Sequence, residues 1–196
     1  MFSFMKIATF AALAFGTLAS AIPSPAPILT VEEGALVERK TTSNVAIVLA
    51  NLTVHVTPLC LKLTELTATS ATPANTTAII DQIKVVLEEA VEILKGVATL
   101  GSSIGDILQL LAAIIKLLIT SINHVVSVCL DKDVILQIVK LVDGPLAALI
   151  SAILGLVGGG GILSSVIAQL VGLLGSIIQT LLSLNFTACE QVLLIL

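Results

Sequence analysis

The sequence predicts an all-α protein, an antiparallel helical bundle of about five to six helices with an apolar C-terminal half. Three observations lead there. Apolar residues recur at alternating spacings of three and four over long stretches, the rhythm that lines one face of a helix. Period-two alternation bounded by turn signals, the mark of a strand, is missing despite many β-branched residues. Gly and Pro clusters cut the chain into helix-length pieces with short connections, which favour antiparallel neighbours.

The first helix follows Val45, Leu49, Leu52, Val56, Leu59, Leu63 and Leu66. Pro58 falls inside it and removes one backbone hydrogen bond, which predicts a kink rather than an end. The second follows Ile79, Ile83, Val86, Ala90, Ile93, Val97 and Leu100, with Asp81, Lys84, Glu88, Glu89, Glu92 and Lys95 on its other face. Thr67 to Thr77 reads as the loop between them, so residues 41–100 form an amphipathic hairpin. Gly101-Ser102-Ser103 breaks the pattern. A third helix, Ile104 to Leu130, is apolar on several faces and should lie near the centre. Asp131 or Asp133 starts a fourth, which Asp143-Gly144-Pro145 interrupts, and Pro145 suits the first position of the next segment. Gly158 to Gly161 ends that segment, and a last long helix is expected from Ile162 to Leu184 before a short tail with Cys189.

The ends of the chain speak of export. Residues 1–21 have one early cation, Lys6, an apolar run from Ile7 to Leu18, and Ala19-Ser20-Ala21, a small-x-small pattern that a signal peptidase cuts after Ala21. Residues 22–40 carry Pro23, Pro25 and Pro27, then Glu32, Glu33, Glu38 and Arg39-Lys40. Such a segment stays extended and is either a linker or a propeptide removed after the dibasic pair. Residues 41–196 are read as a single domain, with 101–196 its hydrophobic helices. In a secreted, extracellular or wall-bound protein the sequons at Asn75, Asn51 and Asn185 become acceptors for N-glycans, ranked in that order.

Only 11% of residues are charged and the mean hydropathy is +1.14, whereas soluble domains are about one quarter charged. Gly144 to Cys189 contains no Asp, Glu, Lys, Arg or His. Burying every apolar side chain internally would be difficult, so part of this half is expected to meet a hydrophobic surface, an air–water interface or another copy of the chain. Phe186 is the one aromatic residue after the leader, and a net charge of −4 comes without a basic patch. Neither stacking platforms nor nucleic-acid binding fits that composition.

No catalytic, cofactor or metal constellation appears. His55 and His124 sit in helical apolar settings without clustered ligands, Ser164-Ser165 lacks the nucleophile turn, and Gly158 to Gly161 lacks the Lys-Ser/Thr of a phosphate loop. Glu88, Glu89 and Glu92 read as a solvated helix face. Ile162 to Leu182 is long enough to span a bilayer, which needs about 20 apolar residues. Gln169, Gln179 and the absence of flanking cations and of a Trp/Tyr belt oppose a span. Glu190 leaves too short a tail for a GPI signal.

In an oxidising compartment three cysteines allow at most one intrachain bridge. Tracing the helices up and down brings Cys60, Cys129 and Cys189 to one end. Cys60 with Cys129 is the favoured pair, leaving Cys189 free to bridge between chains, with Cys129–Cys189 the alternative.

A leader, a more hydrophilic N-terminal half with Thr57-Pro58-Leu59-Cys60 and Asp81-Gln82-Ile83-Lys84, and a very hydrophobic C-terminal half together resemble a fungal group. It comprises the small secreted cell-wall proteins of mushroom-forming fungi that mediate aerial hypha formation and attachment. The likeness rests on layout and composition over most of residues 41–196. Hydrophobins share that role but need eight cysteines with two adjacent pairs, and this chain has three. The helical hydrophobic-surface-binding wall proteins of filamentous fungi are similar in the hairpin but not in the Gly-rich half. The resemblance implies a non-enzymatic amphiphile that coats hyphae. The alternatives are a secreted carrier that encloses a lipid or sterol between its apolar helices, and an integral membrane protein.

Overall fold

The computed structural model describes residues 44–158 and 162–194 of the chain. The signal-peptide and propeptide assignments at Ala21, Arg39 and Lys40, and most of the glycine run after Gly158, lie outside these residues. Every described element is helical: α1 (Val45–Thr64), α2 (Pro73–Lys95), α3 (Ile104–Val128), α4 (Lys132–Val139), a 3-10 turn (Lys140–Val142), α5 (Asp143–Val157), α6 (Leu163–Leu174), α7 (Ile177–Leu184) and α8 (Thr187–Leu193). The all-α class stands. Among the described residues there are eight α-helices and a 3-10 turn, against the five or six helices expected.

The hairpin stripe works as its spacing demands. Val45, Leu49, Leu52, Val56, Leu59 and Leu63 are all buried, and Leu66 packs against the same core. Pro58 stays inside α1 on its exposed side, where water can serve the carbonyl that its missing N–H leaves open. The start of α1 is closed by the connection after α2. Thr99 and Leu100 carbonyls accept from the Val45 and Ala46 amides at 3.2 and 3.1 Å, and Asn44 Oδ1 accepts from the Ile47 amide at 2.9 Å. Helix-start donors that would otherwise lack partners are thereby satisfied. Gly101 permits this approach: its φ is +74°, and a Cβ there would stand 2.1 Å from the Asn44 side chain.

Several boundaries differ from the periodicity reading: the break expected at Asp143-Gly144-Pro145 is the 3-10 turn Lys140–Val142, with Pro145 the third residue of α5, and the tail that holds Cys189 is the helix α8. α2 begins at Pro73, six residues before Ile79, because Thr72 caps it and Pro73 occupies the first turn. It ends at Lys95, so Val97 and Leu100 lie on the connection. The expected last long helix is two helices bent by 92°; Gly175, at φ +46°, ends α6, and Ser176 precedes α7. An unbroken span over Ile162–Leu182 is therefore not formed.

α3 holds the centre, as its all-round apolarity predicts. Ile107, Leu108, Leu111, Ile114, Ile115, Leu118, Ile119, Ile122 and Val125 are buried in it. α1 packs on α3 and α2, α2 also meets α4 and α5, α6 and α7 pack on α3, and α8 packs on α5. The C-terminal half buries most of its large side chains: Leu146, Leu149, Ile150, Ile153, Leu170, Leu174, Leu181 and Phe186 join one continuous core. Each such burial contributes about 1.5–3 kcal/mol of gross stabilisation.

Candidate functional site

What remains outside on the C-terminal half is uncharged rather than uniformly greasy. α5 exposes Gly144, Ala148, Ser151 and Gly155, at spacings of four, three and four that keep them on one face. α6 adds Ser164, Ser165, Ala168, Gln169, Gly172 and Leu173, and α7 adds Gln179 and Leu182. Ile162 and Leu163 stand exposed where α6 begins. Small residues let this surface turn to solvent without displaying as much apolar area as the composition suggests. Among the described residues, every Asp, Glu, Lys or His with access to solvent lies between His55 and Lys140, whereas Asp143 and Glu190 are buried.

Asp143 explains why a charge survives at the edge of the uncharged stretch. Its Oδ2 accepts from the Ala188 amide and its Oδ1 from the Cys189 amide, both at 2.9 Å. The carboxylate thus pins the start of α8 to the start of α5, supplying the capping group that the α8 sequence lacks. Nothing in local sequence spacing announces a contact across 45 residues. Glu190, next to Cys189 in the chain, is also buried, with Oε1 unpartnered among the described residues.

The cysteines are all free and buried. The favoured Cys60–Cys129 bridge is not formed, and neither is Cys129–Cys189. Cys60 lies against Ser121, and Ser121 is eight residues, about 12 Å, up α3 from Cys129. A bridge needs Cα atoms within about 7 Å. Cys129 donates to the Val126 carbonyl at 3.3 Å, while Cys189 faces the Asp143 carbonyl at 3.5 Å. The three thiols thus have separate neighbours, and Cys189 lies apart from the other two because α8 packs on α5. Burial pushes the Cys60 thiol up to about 12, and burial with the Asp143 carboxylate raises Cys189 further.

The histidines part company. His124 is half-buried, with Nε2 3.3 Å from the Leu66 carbonyl, a boundary position that fixes the ends of α1 and α3 together. His55 is exposed and lines an open groove between α1 and α2 of about 460 Å3, with Leu59, Asp81, Gln82, Val85, Val86 and Glu89. Within the acidic face of α2, Glu88 pairs with Lys84 at 3.8 Å and Glu92 with Lys95. No group of three metal-ligating side chains occurs among the described residues. Ser164 and Ser165 stand in the exposed first turn of α6.

All three sequon asparagines are exposed. Asn75 was expected in a loop, but it lies in the first turn of α2, where its Nδ2 donates to the Ser70 carbonyl at 3.0 Å. Asn185 ends α7 in a left-handed conformation at φ 57°, and Asn51 lies in the second turn of α1.

The chain matches no protein-family model, and comparisons with curated proteins and with solved structures yield no match either.

Proposed function

We propose that the protein is a secreted, non-enzymatic amphiphile that coats hydrophobic surfaces, with an antiparallel bundle holding a hydrated hairpin on one side and an uncharged half on the other. One observation carries the reading: among the described residues, solvent-accessible side-chain charge ends at Lys140. The α5–α7 exterior offers small, hydroxyl and amide groups around Ile162, Leu163, Leu173 and Leu182. Moving that surface to an air, wax or plastic interface strips no charge of its water, so the desolvation penalty is confined to hydroxyl and amide groups and is smaller than for a charged face. The exposed apolar side chains contribute favourably on contact. Coating of hyphae, as in the fungal wall proteins that the sequence resembles, is the corresponding biological role.

The secreted protein should lower the surface tension of water and adsorb to hydrophobic plastic. Leu173→Lys with Leu182→Lys should weaken both, since each places a charge on the adsorbing face; Ile177, half-buried, is a poorer probe. Wild-type protein that leaves surface tension unchanged would remove the proposal.

A second reading has its own observation. α1, α3 and the Lys132–Val157 stretch are long and apolar enough to cross a membrane by length and composition. Resistance of native protein to alkaline carbonate extraction from membranes would favour that reading over the coat. Carriage of lipid or sterol gains no support from the α1–α2 groove, which is open and walled by Asp81 and Glu89.

A further inference from the structure

The outer face of α1 repeats the rhythm of its inner one. Ile47, Asn51, Val54, Pro58 and Leu61 follow one another at spacings of four, three, four and three, so they form a single stripe. It runs about 21 Å along the helix at 1.5 Å per residue. Ile47 is 47% exposed, Val54 51% and Leu61 37%, and Pro58 lies exposed between the last two. Yet this helix belongs to the charged half that the proposed function turns toward water. Asn51 is exposed within the stripe, one helical turn from both Ile47 and Val54. The proximity to apolar residues that makes Asn51 look unpromising in sequence becomes an argument for it once those residues are seen to face outward.

We propose that an N-linked glycan on Asn51 covers this stripe and makes the hairpin face hydrophilic. In the secretory pathway the Asn51 side-chain nitrogen attacks the anomeric carbon of an oligosaccharide carried on a polyprenyl diphosphate. A C–N bond forms, the sugar–diphosphate C–O bond breaks, and the lipid diphosphate leaves with the electron pair. The amide gives up one proton to a base. Thr53 supplies the hydroxyl position of the sequon; in the finished helix that hydroxyl donates to the Leu49 carbonyl at 2.8 Å, so the transfer precedes helix formation. Once α1 has formed, the apolar C–H faces of the first sugars lie over Ile47 and Val54. Their hydroxyl groups lie within reach of the Val54 carbonyl, to which Pro58 offers no N–H. The outer sugars face water. At helical-neighbour spacing Asn75 has Ala71, Thr72, Ala78 and half-buried Ile79, and Asn185 has a single exposed large apolar residue, Leu182, so a glycan at either covers less than one at Asn51.

The inference rests on the secretion reading, and its test separates the two. The full chain is expressed in a secreting eukaryotic host, and each sequon is scored by peptide mapping after enzymatic deglycosylation, which converts a formerly glycosylated Asn to Asp. Asn51 should be occupied. Deglycosylated protein and the Asn51→Gln variant should bind a hydrophobic dye several-fold more strongly and self-associate, whereas Asn75→Gln and Asn185→Gln should behave as wild type. Adding Ile47→Ser and Val54→Ser to Asn51→Gln should return dye binding to the wild-type level. Secreted protein glycosylated only at Asn75 or Asn185 overturns the inference and leaves secretion standing. Occupied Asn51 whose removal leaves dye binding unchanged also overturns it. A chain retained in the cytosol with no sequon occupied overturns both.

Discussion

At single residues the fold depends on a few positions whose identity has one physical explanation. Gly101 combines a positive φ with a position where any Cβ would strike Asn44. Gly101→Ala should lose about 2 kcal/mol, from backbone strain and from displacement of the Asn44 cap. That corresponds to roughly 4–8 °C in melting temperature, readable by calorimetry. Cys60 offers a pH signature. Its thiol is raised from about 9 to about 12 in the folded chain, so the fold favours the neutral form. The associated stability is fully present below about pH 9 and declines as pH rises toward 12, by up to about 4 kcal/mol. Urea unfolding from pH 7 to 11 should show this loss on top of that from the other raised thiols, and Cys60→Ala should make the slope shallower without abolishing it, after an initial packing penalty. A Cys60→Ala alkaline slope as steep as that of wild type would exclude the assignment.

At the scale of elements, how well a helix could be read depended on whether its ends were set locally. α1 and α3 were legible because long runs repeat the helical period and because Pro58 on an exposed face does not end a helix. The start of α2 was written in Thr72-Pro73, a cap followed by a first-turn proline, but the later apolar period from Ile79 hid it. The α6–α7 bend was signalled only by Gly175-Ser176 inside an uncharged, mainly apolar run. α8 was out of reach, since its cap comes from Asp143 across 45 residues. That dependence is testable. Asp143→Ala removes two charge-assisted hydrogen bonds and leaves two amides without their acceptor, a cost of about 2–4 kcal/mol. If α8 opens separately from the rest, hydrogen exchange at Ala188 and Cys189 should accelerate by at least an order of magnitude, while the α3 core keeps its protection. Equal acceleration throughout would show that α8 unfolds only with the whole domain.

For the whole molecule, composition announced an unusual surface but not how it is achieved. Charge scarcity suggested large apolar residues left outside; the structure instead folds most of them inward and faces the C-terminal half with Gly, Ala, Ser and Gln. Exposed and buried apolar residues have the same composition, so only packing separates them. This arrangement makes the proposed activity separable from the fold. Ala148 on α5 and Ala168 on α6 are exposed helix positions, where Lys is nearly as good a helix former as Ala. Ala148→Lys with Ala168→Lys should shift stability by less than about 1 kcal/mol, since surface changes are usually within about 0.5 kcal/mol each. The pair should nevertheless impair adsorption to hydrophobic plastic, because both charges must be desolvated there. Gln82→Lys, on the already charged α2 face, is the control and should adsorb as wild type does. If both proteins adsorb alike at equal stability, the uncharged half is not the adsorbing face, and the asymmetry of charge serves packing alone.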